Sequence, residues 1–135
     1  MNRHSVWLLN KGKAMAKCLV ADDSKIIRML FVKIMGNLGF EVIEAEDGEE
    51  VVELCQLEEP DLIVMDYRLP VLDGIDAMYK IRNSRIEKQP KIMFCSSMTE
   101  ESIIREALDG GADDYVMKPF DEEIIISKLA IMELL

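Results

Sequence analysis

Basic residues are the scarce class in this sequence. Of 135 residues, 16 are Lys or Arg and 26 are Asp or Glu, a formal charge of −10 with the one histidine neutral. A chain short of cations makes a poor direct partner for nucleic acid, because binding a phosphate backbone needs a basic face. Cysteine is scarce too. Cys18, Cys55 and Cys95 are odd in number and form no C-x-x-C motif, which argues against a disulfide framework and fits a reduced compartment. Cys18 and Cys95 lie in apolar runs, where a thiol behaves as a small buried hydrophobe. Long apolar runs are missing: none approaches the ~18 residues of a membrane span. In the N-terminal stretch the block Val6-Trp7-Leu8-Leu9 falls short of the roughly 7–15 residues of a signal-peptide core. A soluble, cytoplasmic protein with no membrane contact is expected.

What is present describes one globular domain. Half of the residues are hydrophobic and 31% are charged, and the length suits a single domain of roughly 100–150 residues with its own core. The charge is uneven. Residues 1–17 carry Arg3, Lys11, Lys13 and Lys17 without an acid, a local +4, so residues 18–135 set 12 bases against 26 acids, or −14. Such acidity serves solubility in many proteins; its meaning depends on whether the acids converge.

From residue 17 onward short apolar runs alternate with helical patterns. Strands are predicted at 17–21, 40–44, 61–65, 91–95 and 114–117. The run 61–65 is the most apolar and is placed at the centre. Between them, Ile26, Ile27, Leu30, Phe31, Ile34, Met35 and Leu38 recur at three- and four-residue spacing, an amphipathic helix that Gly39 stops. Further helices are predicted over 48–57, around Ile75, Met78, Tyr79 and Ile81, over 102–108 and over 122–135. Strict strand–helix alternation implies an α/β fold with a doubly wound parallel sheet and right-handed crossovers. Residues 16–135 form that domain without linker or repeat. Residues 1–15 have no place in it and read as a disordered or non-native tail.

In such a sheet ligands bind beyond the carboxyl ends of the strands, where strand order reverses. The residues at those ends are Asp22 and Asp23, Asp66, Ser96 and Ser97, then Lys118-Pro119. Each alone has an ordinary reading: Asp22 and Asp23 as helix caps, Asp66 as a turn former, Ser96 as a turn or cap residue, Lys118 as a solvated cation. Together they bring three carboxylates, hydroxyls and an ammonium to one edge. Crowded carboxylates need protons or a cation. An oxygen-only ligand set on short loops suits a hard ion such as Mg²⁺. A lysine and a hydroxyl beside it match the needs of a phosphoryl group, and a carboxylate is a competent nucleophile for it.

These residues resemble the receiver domain of two-component response regulators, the CheY-like family. The resemblance spans 16–135 and rests on Asp22-Asp23-Ser24, on Asp66-Tyr67-Arg68-Leu69-Pro70 with Asp73-Gly74, on Ser96-Ser97, and on Tyr115 followed by Lys118-Pro119-Phe120. It implies a flavodoxin-like five-stranded sheet in the order 2-1-3-4-5 with five helices. It implies that Asp66 is the phosphoacceptor and that Asp23, Asp66 and the Arg68 carbonyl hold Mg²⁺, with Asp22 reaching it through water. Lys118 and Ser96 would contact the phosphoryl oxygens, and Lys118-Pro119 would be a cis peptide. Ser96 and Tyr115 would act as the switch pair, with Arg68 and Ser97 modulating the site. Leu69, Ser96 and Arg68 depart from the commonest family residues, and Arg68, overlooking the phosphoryl group, is the departure with consequences.

The implied partners are a sensor histidine kinase or histidine phosphotransferase and a downstream protein such as a motor switch, kinase or relay protein. The implied output face is the fourth helix, fifth strand and fifth helix, which would also carry a homodimer. Ile124-Ile125-Ile126 span about 200° of a helix, so at least one should be exposed on that face. The expected role is a stand-alone phosphoacceptor switch, not an enzyme acting on a separate substrate. A phosphatase of the haloacid-dehalogenase type would want an acid where Arg68 stands. A flavodoxin-like FMN carrier would be repelled by Asp22-Asp23. A fragment of a longer regulator remains an alternative.

Overall fold

The computed structural model describes residues 16–97 and 100–135; the expected tail at 1–15 lies outside them. Five strands, β1 (Lys17–Ala21), β2 (Glu41–Ala45), β3 (Leu62–Asp66), β4 (Lys91–Ser97) and β5 (Asp114–Lys118), alternate with five helices. The helices are α1 (Lys25–Asn37), α2 (Gly48–Glu58), α3 (Gly74–Arg82), α4 (Glu101–Gly110) and α5 (Glu122–Ile131). The strands form one parallel sheet in the order β2-β1-β3-β4-β5, with β3 central. The fold class and the strand order expected from the sequence are both present.

Strand residues alternate between two cores, as the pleat demands. Cys18, Val20, Leu62, Val64, Met93 and Cys95 face α1 and α5, where Phe31, Met35, Ile125 and Leu129 cover them. Leu19, Ala21, Ile63, Met65, Ile92 and Phe94 face α2, α3 and α4, meeting Val51, Cys55, Met78, Ile81 and Ala107. Strands buried on both faces read as continuous apolar runs. All three thiols are buried and free.

Two helices differ from the sequence expectation. The apolar face assigned to α1 included Ile26 and Leu30, yet Ile26 is 77% exposed and Leu30 38%. A helix on a sheet buries only a stripe, and Phe31, Ile34 and Met35 supply it together with Arg28. The last helix was expected to reach Leu135 but stops at Ile131. Glu133 there adopts φ 63°, its N–H donates to Ala130 O at 3.1 Å, and Leu134 N–H donates to Leu129 O at 2.8 Å. That left-handed turn closes the helix and folds Leu134 onto the core. Of the three isoleucines, Ile125 is buried, Ile126 half-buried and Ile124 41% exposed, so the apolar run does overflow the core stripe. Among the described residues no helix is long and apolar enough to cross a membrane.

Candidate functional site

The site is built by register. Ala21 pairs with Met65 and Asp66 with Cys95, while Ser97 pairs with Lys118. The residues leaving β1, β3, β4 and β5 therefore stand level at one sheet edge. Strand order reverses between β1 and β3, so the loops after these strands part and leave a crevice. Asp22 and Asp23 flank it on one side and Asp66 on the other.

Helix capping does not consume these acids. Ser24 is the N-cap of α1, its hydroxyl accepting from Ile27 N–H at 3.4 Å. Asp22 Oδ1 accepts from Ser24 N–H at 2.8 Å, a local turn that leaves its second oxygen to the crevice. One oxygen from each of Asp22, Asp23 and Asp66 lies within 4.8 Å of the others. Lys118 Nζ reaches into the cluster, 2.9 Å from Asp66 Oδ2 and 3.3 Å from Asp22 Oδ2. It is the last residue of β5, and the Lys118–Pro119 bond that follows is cis.

Electrostatics separate the members. Burial raises Asp22 above the usual carboxylate range, with the Asp66 charge adding to the effect and Lys118 opposing it. For Lys118 burial favours the neutral amine, but the bond and charge of Asp66, helped by Cys95 and Asp22, outweigh it and raise the group above the ordinary lysine value. Burial pushes the Cys95 thiol up to about 12 despite Lys118, so it is no nucleophile.

The acceptor loop is fixed by short contacts. Arg68 N–H donates to Asp66 Oδ1 at 3.0 Å. Gly74 N–H donates to Tyr67 O at 2.7 Å, and a Cβ on Gly74 would sit 2.5 Å from Asp66 O. Only glycine lets α3 start this close to Asp66, which gives Asp73-Gly74 a physical reason: Asp73 caps the helix and Gly74 makes room. The Arg68 side chain crosses outward, its Nε donating to Tyr67 Oη at 2.9 Å and its Nη2 lying 3.4 Å from Glu100 Oε1.

Ser96 is buried and its hydroxyl has no partner, a donor held beside the cluster by the end of β4. Ser97 Oγ donates to Glu100 Oε1 at 2.6 Å instead. Tyr115 is half-buried on β5, its ring 4.7 Å from Lys128 Nζ. It lines a cleft of about 280 Å³ between α4 and β5 with Ile104, Leu108 and Met117.

Two residues of this neighbourhood escaped the sequence reading. Glu100, buried at the start of α4, pairs with Arg68, and nothing in the neighbouring sequence marks it. Arg28 is buried on the inner face of α1 and donates to the Asp22 carbonyl at 2.6 Å. Its signal was available: a cation one helical turn from Phe31 and Ser24, on the apolar side.

Three clustered carboxylates, a lysine and an unpartnered hydroxyl at the switch point define a phosphoacceptor class of site. The comparisons agree. A model of the response regulator receiver domain matches residues 18–130. The chemotaxis protein CheY of Bacillus subtilis is 36% identical over 114 residues, covering 84% of this chain and 93% of that one. The chemotaxis response regulator CheY4 of Vibrio cholerae superposes with TM-score 0.79 at 29% identity, over 90% of this chain and 100% of that one. The receiver domain of a Pseudomonas aeruginosa sensor histidine kinase, with a magnesium ion coordinated in its active-site cleft, gives 0.78 at 26%, over 89% and 99%. The chain belongs to the response regulator receiver family, whose members are phosphoacceptor switches. The all-oxygen cluster, its ligand atoms within 4.8 Å of one another, fits a hard divalent cation.

Proposed function

We propose that Asp66 accepts a phosphoryl group from a phosphohistidine of a sensor histidine kinase or histidine phosphotransferase. An Asp66 carboxylate oxygen attacks phosphorus, the P–O bond forms as the P–N bond breaks, and the imidazole leaves. The observation that carries this reading is the carboxylate cluster gripped by Lys118. Asp66 is open to solvent where Asp22 is not, its side chain 13% exposed against 3%; Asp23 is more exposed still, and what sets Asp66 apart is that Lys118 and the Arg68 N–H orient its two oxygens.

Asp23, Asp66 and the Arg68 carbonyl would hold Mg²⁺, with Asp22 acting through water. Bound there, the ion would supply positive charge where phosphoryl oxygens crowd the carboxylates. Lys118 then pairs with one phosphoryl oxygen and the Ser96 hydroxyl donates to another, which satisfies its buried oxygen. Arg68 and Ser97, joined through Glu100, modulate access to the group. Movement of Ser96 frees space for the Tyr115 ring, and the signal leaves through the α4–β5–α5 face by docking a downstream protein or a second copy of the chain. These roles place the protein in the cytoplasm, away from membrane and nucleic acid.

The test is intact-mass measurement after incubation with Mg²⁺ and acetyl phosphate. One phosphoryl group is expected on the wild-type protein and none on Asp66→Asn. Equal labelling of that variant would refute the assignment of the acceptor.

A further inference from the structure

Arg28 is the one buried cation among the described residues, 8% exposed. The phosphoacceptor chemistry above gives it no task. Its guanidinium spends its donors in three directions: Nη1 to the Asp22 carbonyl at 2.6 Å, Nε to Glu44 Oε1 at 3.4 Å and Nη2 to Glu46 Oε1 at 3.2 Å. The carbonyl belongs to the peptide joining Asp22 to Asp23. A peptide is planar, so holding its oxygen restrains the plane that carries both Cα atoms, from which the two carboxylates leave the backbone. Asp22 N–H meets Ala45 O at 3.4 Å, a long contact that would not hold the turn alone.

Glu44 on β2 and Glu46 just after it face the guanidinium from outside the cluster. Their charge keeps the fork in place without adding to the acids around Asp66. We propose that Arg28 is a positioning residue for divalent-cation binding. It sets the Asp22–Asp23 peptide so that both carboxylates converge on Asp66, and it does so without touching the ion. Lysine cannot do this equally, since a single ammonium lacks the planar fork that serves three partners at fixed angles.

The inference rests on reading the cluster as a Mg²⁺ site, and its test separates the two. The dissociation constant for Mg²⁺ is measured on unphosphorylated protein by competition against Mn²⁺, followed by electron paramagnetic resonance, with urea unfolding in parallel. Loss of a residue that orients metal ligands typically costs tenfold or more in affinity, so Arg28→Gln should bind Mg²⁺ about tenfold more weakly. Arg28→Lys should lie between it and the wild type.

Leu134→Ala truncates the core at the opposite sheet edge. It should lower stability and leave the affinity unchanged, which a merely structural role for Arg28 would also predict for Arg28→Gln. Should Arg28→Gln fail to fold, Arg28→Lys and the double variant Glu44→Gln with Glu46→Gln carry the measurement, both with weakened binding. Mg²⁺ affinity within about twofold of wild type in the folded variants overturns the proposal. Absence of binding by the wild-type protein overturns the metal-site reading itself.

Discussion

At the scale of single residues the site carries a stability cost in its resting form. Asp22 is buried beside Asp66 and its folded-state pKa lies above the unfolded 3.8. The folded chain thus holds that proton more tightly than the unfolded chain, and stability falls as pH rises through the interval above 3.8. At neutral pH, where the unfolded carboxyl is ionised, Asp22 opposes folding. Asp22→Asn should therefore raise the urea midpoint at pH 7 without Mg²⁺, and the gap to wild type should close below pH 4, where both side chains are neutral. A midpoint lowered at pH 7 would mean that the Lys118 contact outweighs burial. Lys118 has the opposite sign. Its raised pKa gives stability that is present below its unfolded value of 10.5 and is lost as pH climbs through the folded value. Lys118→Met leaves Asp22 and Asp66 facing each other without a cation. With 27% of the side chain in solvent, the expected loss is about 1–2 kcal/mol, below that of a fully buried pair. Denaturation of that variant with and without Mg²⁺ checks it, since an added cation should return part of the loss.

At the scale of elements, capping decides what the sequence pattern alone leaves open. Asp47, Asp73 and Asp121 each accept a backbone N–H at the start of a helix, and Ser24 does so for α1. The acids at the site are thereby released from the duty an isolated reading would give them. The C-terminus of α5 shows what periodicity misses. Leu134-Leu135 continue an apolar pattern, and pattern extends the helix to the end; the chain instead turns at Glu133 because Leu134 gains more by packing back against Leu129. The turn needs a left-handed residue, and glutamate pays for it in strain. Glu133→Gly removes that strain at some entropic cost in the unfolded chain, so a net gain of about 0.5–1 kcal/mol is expected. A higher urea midpoint at unchanged slope would show it; a lower one would mean that the Glu133 side chain does more than cap. The exposure of Ile26, Met29 and Leu30 on α1 has a similar origin. Periodicity names the apolar residues, but sheet curvature and the neighbouring α5 choose which stripe is covered.

At the scale of the molecule, the sheet edge gathers charges that lie far apart in sequence. Alternation of short apolar runs with helical patterns made the topology legible, and topology made Asp22, Asp23, Asp66, Ser96 and Lys118 legible as neighbours, because each lies within two residues of a strand's carboxyl end. Arg28 with Glu44 and Glu46, and Glu100 with Arg68, were not, since each such contact spans two elements whose relative rotation no local pattern encodes. The net charge of −10 is spread over solvated helix faces apart from this edge, where three of the negative charges crowd against one ammonium. Folding assembles that crowd, and the unfolded chain does not contain it, so a divalent cation should bind the folded state alone. Linkage then makes stability a measure of the site. Once Mg²⁺ exceeds its dissociation constant, each further decade of concentration should add about 1.4 kcal/mol to unfolding free energy. Asp23→Asn and Asp66→Asn should flatten this dependence, whereas Asp22→Asn, more stable at the start, should keep a shallower slope until higher Mg²⁺. A wild-type stability independent of Mg²⁺ over two decades would mean that Lys118 alone balances the cluster. The ion would then have to enter with the phosphoryl group, whose charge Lys118 cannot offset by itself.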